Sequence, residues 1–152
     1  MGIYIPPFVA FVISVIIMPA IIKYAKKYNI VDTPNERKIH KNPTPLLGGL
    51  GLLFAFILPL FVFVAINIKT IMIAISLILI TLLGFLDDIY DIKASKKLLV
   101  QLICTGLVVG VGVRVNIGEL FISNTFLATS FDIVISLLWA IGIINAINLV
   151  DG

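Results

Sequence analysis

The feature that most constrains this chain is a succession of long apolar runs. Five stretches qualify or nearly qualify as membrane spans: 3–22, 46–66, 70–86, 98–113 and 133–150. A helix needs about 20 apolar residues to cross the hydrocarbon layer, with a working range of about 17–25. The sequence therefore predicts an all-α membrane protein, with five transmembrane helices in a single transmembrane domain over residues 1–152.

The composition excludes an ordinary soluble domain. The chain is 61% hydrophobic and 12% charged, whereas soluble domains average about 45–50% and about 25%. A small domain leaves much of its surface exposed, so 152 residues cannot bury this apolar surplus in a core. No charged segment precedes the first run and no small-residue cleavage site follows it, so we interpret it as a retained helix.

The distribution of lysine and arginine predicts an orientation. The connections 23–45 and 87–97 hold nine of these residues: Lys23, Lys26, Lys27, Arg37, Lys38, Lys41, Lys93, Lys96 and Lys97. The opposite side holds only two, Lys69 and Arg114. Basic residues favour the cytoplasmic side. We therefore expect an external N-terminus, two cytoplasmic loops at these ranges and a cytoplasmic C-terminal end. Alternating residues in 114–131 also predict a small hairpin on the outer side.

Three carboxylates gather at the inner end of the third run. Asp87, Asp88 and Asp91 follow the apolar residues directly, where the negative pole of a helix dipole disfavours acids. If the helix continues, their spacing of three and four lets all three converge. Mg²⁺ would relieve the repulsion, because it takes one or two carboxylates together with water and phosphate oxygens. A solvated acidic turn neutralised by the nearby lysines accounts for the pattern equally well.

Polar residues also mark the end of the fifth run. Asn145, Asn148 and Asp151 recur every third residue and form one stripe. Such a stripe faces the helix bundle or a water-filled cleft, because amides are costly in lipid. It suits a sugar or a nucleobase, but interhelical hydrogen bonding is the favoured interpretation from the residues alone. Lys97 and Gln101, four residues apart, indicate either a phosphate-and-amide pair or interfacial snorkelling.

The first inner connection is rich in cations and proline. Its basic residues could bind a diphosphate or an anionic head group, but topology-setting charge is the simpler interpretation. His40 by itself is more typical of a surface histidine than of a ligand or base.

Together these segments resemble the polyprenyl-phosphate N-acetylhexosamine-1-phosphate transferase superfamily, glycosyltransferase family 4. The branch with the most similar motifs is the undecaprenyl-phosphate N-acetylglucosamine-1-phosphate transferases. The matching residues, in order, are Arg37-Lys38-Ile39-His40, Pro43-Thr44-Pro45, Gly48-Gly49, Asp87-Asp88, Lys97, Gln101, Asn145 and Asn148-Leu149-Val150-Asp151-Gly152.

The resemblance implies an Mg²⁺-dependent enzyme, with Mn²⁺ as an alternative. It would transfer an N-acetylhexosamine 1-phosphate, here N-acetylglucosamine 1-phosphate, from a UDP-sugar to polyprenyl (undecaprenyl) phosphate and release UMP. This step begins the synthesis of cell-envelope glycans such as lipopolysaccharide or teichoic acid. The implied location is the plasma membrane with a cytoplasmic active face; a homodimer is allowed and nucleic acid is no partner.

The resemblance also assigns roles to individual residues. Asp87 and Asp88 would be catalytic and would hold the metal. The implied substrate-binding residues are Lys97, Asn145, Asn148, Asp151, His40 and Thr44.

Two departures from the family pattern limit these expectations. Leu46 stands where this branch often has a basic residue. Family members have about ten or eleven membrane helices, so five would be about half of the bundle, and we expect this chain alone to be inactive. Two alternatives stay open: a phospho-N-acetylmuramoyl-pentapeptide transferase of peptidoglycan synthesis, or a non-catalytic membrane or transporter fragment.

Overall fold

The computed structural model describes residues 4–32 and 43–151; the side chains of residues 32, 150 and 151 lie outside the description. Five helices dominate: α1 (Ile5–Lys27), α2 (Gly48–Phe63), α3 (Ile68–Tyr90), α4 (Ala94–Gly110) and α5 (Thr125–Asp151). A 3-10 helix, Gly118–Leu120, precedes α5. Two short antiparallel strands, β1 (Val31–Asp32) and β2 (Thr44–Pro45), join α1 to α2. The expected all-α class agrees with this architecture.

Successive helices pack against each other in chain order, and α4 packs against both α3 and α5. Two contacts show that α4 and α5 run antiparallel: Gln101 meets Asn145 near one end, and Val115 meets Ser136 towards the other. The C-terminus of α3 and the N-terminus of α4 therefore lie at the same end of the bundle as the C-terminus of α5. We call this the Asp87 end.

The packing is inverted relative to a soluble protein. Buried apolar positions are mostly small, such as Ala25, Ala55 and Ala74, and buried hydroxyls such as Ser76 and Thr105 lie beside them. Large apolar side chains point outward instead, for example Phe8, which is 66% exposed. Small residues at helix interfaces and large apolar residues outside are the arrangement expected when lipid is the solvent. This chain is therefore a membrane protein.

Helix length limits which elements can span. In the described part of the chain, three helices are long and apolar enough to cross a membrane: α1, α3 and the Thr125–Leu149 part of α5. The 16-residue α2 is a shorter apolar helix, and α4 has 17 residues. Five helices agree with the expected number, whereas the five-span count and the orientation stay predictions.

Helix ends differ from the apolar runs because local hydrogen bonds set them. α2 ends at Phe63, before the expected 66, because Asn67 starts α3: its Oδ1 accepts the N–H groups of Lys69 at 2.9 Å and Thr70 at 3.1 Å. α1 and α3 continue past their apolar runs to Lys27 and Tyr90, and α4 begins at Ala94. The expected loops 23–45 and 87–97 are therefore partly helical.

The predicted hairpin within 114–131 is wrong. That segment, described throughout, contains the 3-10 helix and the start of α5 and no strand. Asp132 explains the difference, since it is 5% exposed and its Oδ1 accepts the N–H groups of Ile117 at 3.0 Å and Gly118 at 2.7 Å. With its charge satisfied by the preceding connection, Asp132 does not interrupt the helix, and α5 begins at Thr125 instead of 133.

Candidate functional site

The last turn of α3 carries Asp87 and Asp88. Asp87 is 16% exposed, and its Oδ2 lies 2.6 Å from Nζ of Lys97, which is 21% exposed at the start of α4. Its Oδ1 accepts the N–H of Ile92 at 2.9 Å. Both carboxylate oxygens are thus engaged, one by a cation and one by the backbone. The neutralising lysine that the sequence offered as an alternative to a metal is present at this carboxylate.

Asp91 does not join Asp87 and Asp88 on a common helix face. α3 ends at Tyr90, and Asp91 has left-handed backbone angles of φ 48° and ψ 70° while its N–H donates to the Asp87 carbonyl at 2.9 Å. Aspartate is among the residues that tolerate this region. Among the side chains that the structure describes, which exclude those of Asp32 and Asp151, no three acidic, histidine or cysteine residues form a group that could hold a metal. The three-carboxylate convergence is therefore not found.

Asp87 and Asp88 nevertheless fit Mg²⁺ by donor type. Mg²⁺ needs only one or two carboxylates when water and substrate phosphates complete its octahedral shell. Asp88, the next residue of α3, is exposed, and its carboxylate is of the same ligand type. The Oδ2 of Asp87 is held by Lys97, and a cation binding there would displace or share that contact.

Lys97 and Gln101 lie one turn apart on α4 but contact different helices. Lys97 pairs with Asp87 of α3, whereas Gln101, only 3% exposed, pairs with Asn145 of α5. Asn145 donates from Nδ2 to Oε1 of Gln101 at 2.7 Å and to the Ile141 carbonyl at 2.8 Å. Gln101 returns a longer bond, 3.4 Å, from Nε2 to Oδ1 of Asn145. Lys97 and Gln101 therefore contact different helices, and Asn145 makes an interhelical hydrogen bond; their contacts with a substrate stay a prediction.

For the other expected site residues within the described part of the chain, the structure gives a position in the fold. Asn148 is exposed, one turn beyond Asn145 on α5, and Asp151 is the last residue of that helix. Thr44 is exposed on β2, where it pairs with Asp32 of β1. His40 lies outside the described residues. The structure thus directly links Asp87 with Lys97 and Gln101 with Asn145.

An apolar groove runs along α4 away from the Asp87 end. Its volume is about 580 Å³, and α3, α4 and α5 line it with residues that include Ile80, Val108, Ala140 and Ile144. The hydroxyls along it are already bonded within the protein: Ser76 donates to the Cys104 carbonyl and Thr105 to the Gln101 carbonyl. Apart from Arg114 at the end away from Asp87, its wall therefore offers mainly carbon, which suits a hydrocarbon chain.

Sequence reasoning missed the role of a second polar cluster, at the opposite end. Ser136 donates to the Asp132 carbonyl at 2.6 Å and accepts the N–H of Val115 at 2.9 Å. With the two bonds to Asp132, this cluster fastens the α4–α5 connection onto α5. The signal in the sequence was an acid and a serine four residues apart beside an apolar run.

Comparison with known proteins identifies the family. The sequence profile described as glycosyl transferase family 4 matches residues 70–152, which include most of α3, all of α4 and α5, and both interhelical pairs. The chain belongs to this family. No solved structure is significantly similar to it.

Several proteins resemble nearly the whole chain. One from Bacillus subtilis, a probable undecaprenyl-phosphate N-acetylglucosaminyl 1-phosphate transferase, is 35% identical over 95% of the chain and 42% of its own length. An undecaprenyl-phosphate alpha-N-acetylglucosaminyl 1-phosphate transferase from Thermotoga maritima is 29% identical over 93% and 43%. A phospho-N-acetylmuramoyl-pentapeptide-transferase from Clostridium perfringens is 31% identical over 100% and 51%. The chain thus spans about half the length of these relatives.

Proposed function

We propose that this protein takes part in transferring N-acetylglucosamine 1-phosphate from a UDP-sugar to undecaprenyl phosphate, with release of UMP. The observation that carries the proposal is the half-buried Asp87–Lys97 pair at the end of an apolar helix bundle, within the segment matched by the family profile. The names of the Bacillus and Thermotoga relatives supply the acceptor and the sugar. A lipid-linked acceptor explains why the protein is embedded in a membrane.

The proposed reaction is a phosphoryl transfer. An oxygen of the acceptor phosphate attacks the sugar-bearing phosphorus of the UDP-sugar; a new P–O bond forms, the bond to the UMP oxygen breaks, and UMP leaves. Catalysis of this kind depends on positioning and charge neutralisation. Lys97 would hold a phosphate by a charge-assisted hydrogen bond, and Asp87 or Asp88 would accept any proton that the acceptor phosphate carries.

Asp87 and Asp88 would also hold a divalent cation. Mg²⁺, when bound there, would neutralise charge on the substrate phosphates. Before substrates bind, the ion pair with Lys97 compensates the charge of Asp87, which would otherwise be unpaired beside a low-dielectric region. Arrival of phosphates gives Lys97 a second anionic partner and frees an oxygen of Asp87.

The acceptor's hydrocarbon chain would lie in the groove along α4. The groove is lined by carbon, its volume is within the range of about 300–1,000 Å³ typical of small-molecule sites, and Ile144 and Ile80 lie near its Asp87 end. A chain lying there would deliver its phosphate towards Lys97. In this proposal the Asp87 end faces the cytoplasm, where the UDP-sugar is dissolved.

The experiment measures transfer in membranes that contain the complete gene product, including any residues encoded beyond Gly152. With labelled UDP-N-acetylglucosamine, undecaprenyl phosphate and Mg²⁺, we expect UMP release matched by label in the lipid. Asp87→Asn and Asp88→Asn should each lower the rate at least about 100-fold, the scale of losing a preorganised charged contact. Glu119→Gln, an exposed acid at the far end, is the matched control and should leave the rate unchanged.

Two results would contradict this proposal. Unchanged turnover in both aspartate variants would remove these residues from the mechanism. Transfer from UDP-N-acetylmuramoyl-pentapeptide but not from UDP-N-acetylglucosamine would favour the second candidate, peptidoglycan precursor synthesis, which the Clostridium relative suggests.

A further inference from the structure

The amide pair between α4 and α5 leaves Asn145 little capacity to bind anything else. An asparagine amide has two N–H donors and an oxygen with two lone pairs. Both donors of Asn145 are used, one by Gln101 and one by the Ile141 carbonyl. Its oxygen already accepts from Gln101, which leaves one lone pair. A substrate that needed an N–H from Asn145 would have to break a bond that is already made.

Gln101 is the more deeply placed partner. It is 3% exposed, and Asn145 is the only residue that its side-chain amide contacts by a hydrogen bond within the described part of the chain. A buried amide without a partner destabilises the folded protein. α5 is therefore most stable at the position along its own axis that places Asn145 opposite Gln101.

The Gln101–Asn145 pair also fixes the position of α5 relative to the Asp87–Lys97 pair. α4 lies between α3 and α5, and Lys97 is one turn from Gln101 on the same helix. Lys97 is bonded to the α3 carboxylate and Gln101 to the α5 amide. One turn of α4 therefore sets the height of Asn148 on α5 relative to Asp87 on α3.

We propose that Gln101 and Asn145 are positioning residues, which hold α5 in register with the Asp87–Lys97 pair, and that Asn145 donates no hydrogen bond to the sugar nucleotide. This inference rests on the proposed transferase function. It gives Asn145 a different role from the substrate binding that the resemblance implies, and it leaves Asn148, which is exposed one turn further on, as the amide whose N–H groups can reach the donor.

The test is a double-mutant cycle in the complete gene product. Gln101→Leu, Asn145→Leu and the double variant are compared for the KM of UDP-N-acetylglucosamine, the KM of undecaprenyl phosphate and kcat. Each single change should raise the donor KM about 10-fold or more, because small misplacements of bound groups are costly. The double variant should be no worse than either single variant, since coupled residues are not additive. Asn116→Leu, an exposed asparagine at the far end, should leave both KM values unchanged.

Exchanging the two amide side chains, which differ in length by one methylene group, tests whether the donor KM can be restored. Gln101→Asn and Asn145→Gln should each raise the donor KM alone, whereas the combination restores it to within about 3-fold, because the summed length of the two side chains is conserved. A direct contact between Asn145 and the donor would not be rescued from position 101. An unchanged donor KM in Gln101→Leu, or effects that multiply in the double variant, would overturn the positioning role.

Failure of the proposed function gives a different result from failure of the pair. Absence of transfer by the unaltered protein removes the transferase proposal and the positioning role with it. The pair is then judged by thermal unfolding in detergent, where both single leucine variants should lower the midpoint and the double variant should lower it no further. Additive midpoint losses would show that the pair does not form.

Discussion

Asp87 and Asp132 are both shielded from solvent, yet their partners give them different capacities. Asp132 is held by backbone N–H groups of the preceding connection, which cannot leave without unfolding that connection. Asp87 is held in part by the flexible side chain of Lys97, which can exchange partners at little structural cost. This difference supports a functional role for Asp87 and a structural one for Asp132, although both are acids beside apolar runs.

The role of Asp132 can be tested by substitution. Asp132→Leu leaves the N–H groups of Ile117 and Gly118 without an acceptor, and each buried unsatisfied group costs about 1–3 kcal/mol. Asp132→Asn keeps an oxygen at Oδ1, the atom that accepts both bonds, and should retain most of the stability. Thermal unfolding midpoints in detergent measure the difference. Equal midpoints for Asn and Leu would show that the two hydrogen bonds contribute nothing.

At the scale of elements, the apolar runs predicted the existence and number of the helices but not their ends. The run ending at Leu86 locates α3, yet α3 continues to Tyr90 because Asp87 is neutralised by Lys97 and caps Ile92. α5 likewise begins at Thr125 because its acid is satisfied by a distant backbone segment. Both reasons depend on tertiary contacts, which hydropathy along one chain does not contain.

Two Gly→Ala changes should have opposite effects, one at the contact between the 3-10 helix and α5 and the other within α4. A Cβ at Gly118 would overlap the Ala128 backbone carbonyl, and overpacking of this kind costs about 1–3 kcal/mol. A Cβ at Gly106, within α4, would meet no atom within 4 Å, and alanine stabilises a helix interior by about 0.5–1 kcal/mol relative to glycine. Gly118→Ala should therefore lower the unfolding midpoint and Gly106→Ala should hold or raise it. The reverse order would contradict the packing at this contact.

At the scale of the whole molecule, the sequence predicts which polar residues stand out but not which residues they contact. Asp87, Lys97 and Asn145 stand out in the sequence, and the structure puts each in an interhelical contact. Gln101 was matched with Lys97 because they share a helix face, but the position of α4 between two helices separates their roles. Only the arrangement of three helices could reveal this.

The orientation of the bundle can be tested with two matched cysteine substitutions. Ser95 at the Asp87 end and Ser123 at the other end are both exposed, whereas Cys104, the native cysteine, is buried. In intact cells a membrane-impermeant thiol reagent should label Ser123→Cys but not Ser95→Cys, which should react only after permeabilisation. The unaltered protein controls for Cys104. Labelling of Ser95→Cys from outside would reverse the positive-inside prediction and exclude a cytoplasmic site.

The placement of small side chains between the helices has a consequence for how the sequence can vary. Exchanges among leucine, isoleucine, valine and phenylalanine on the outside alter only contacts with fluid lipid. Adding two methyl groups at Ala74 or Ala128, which are 3% and 0% exposed, would instead wedge neighbouring helices apart. Tolerance to mutation therefore follows side-chain size in the opposite sense to a water-soluble protein: the bulky outward positions can vary most freely, and the small buried ones hold the architecture.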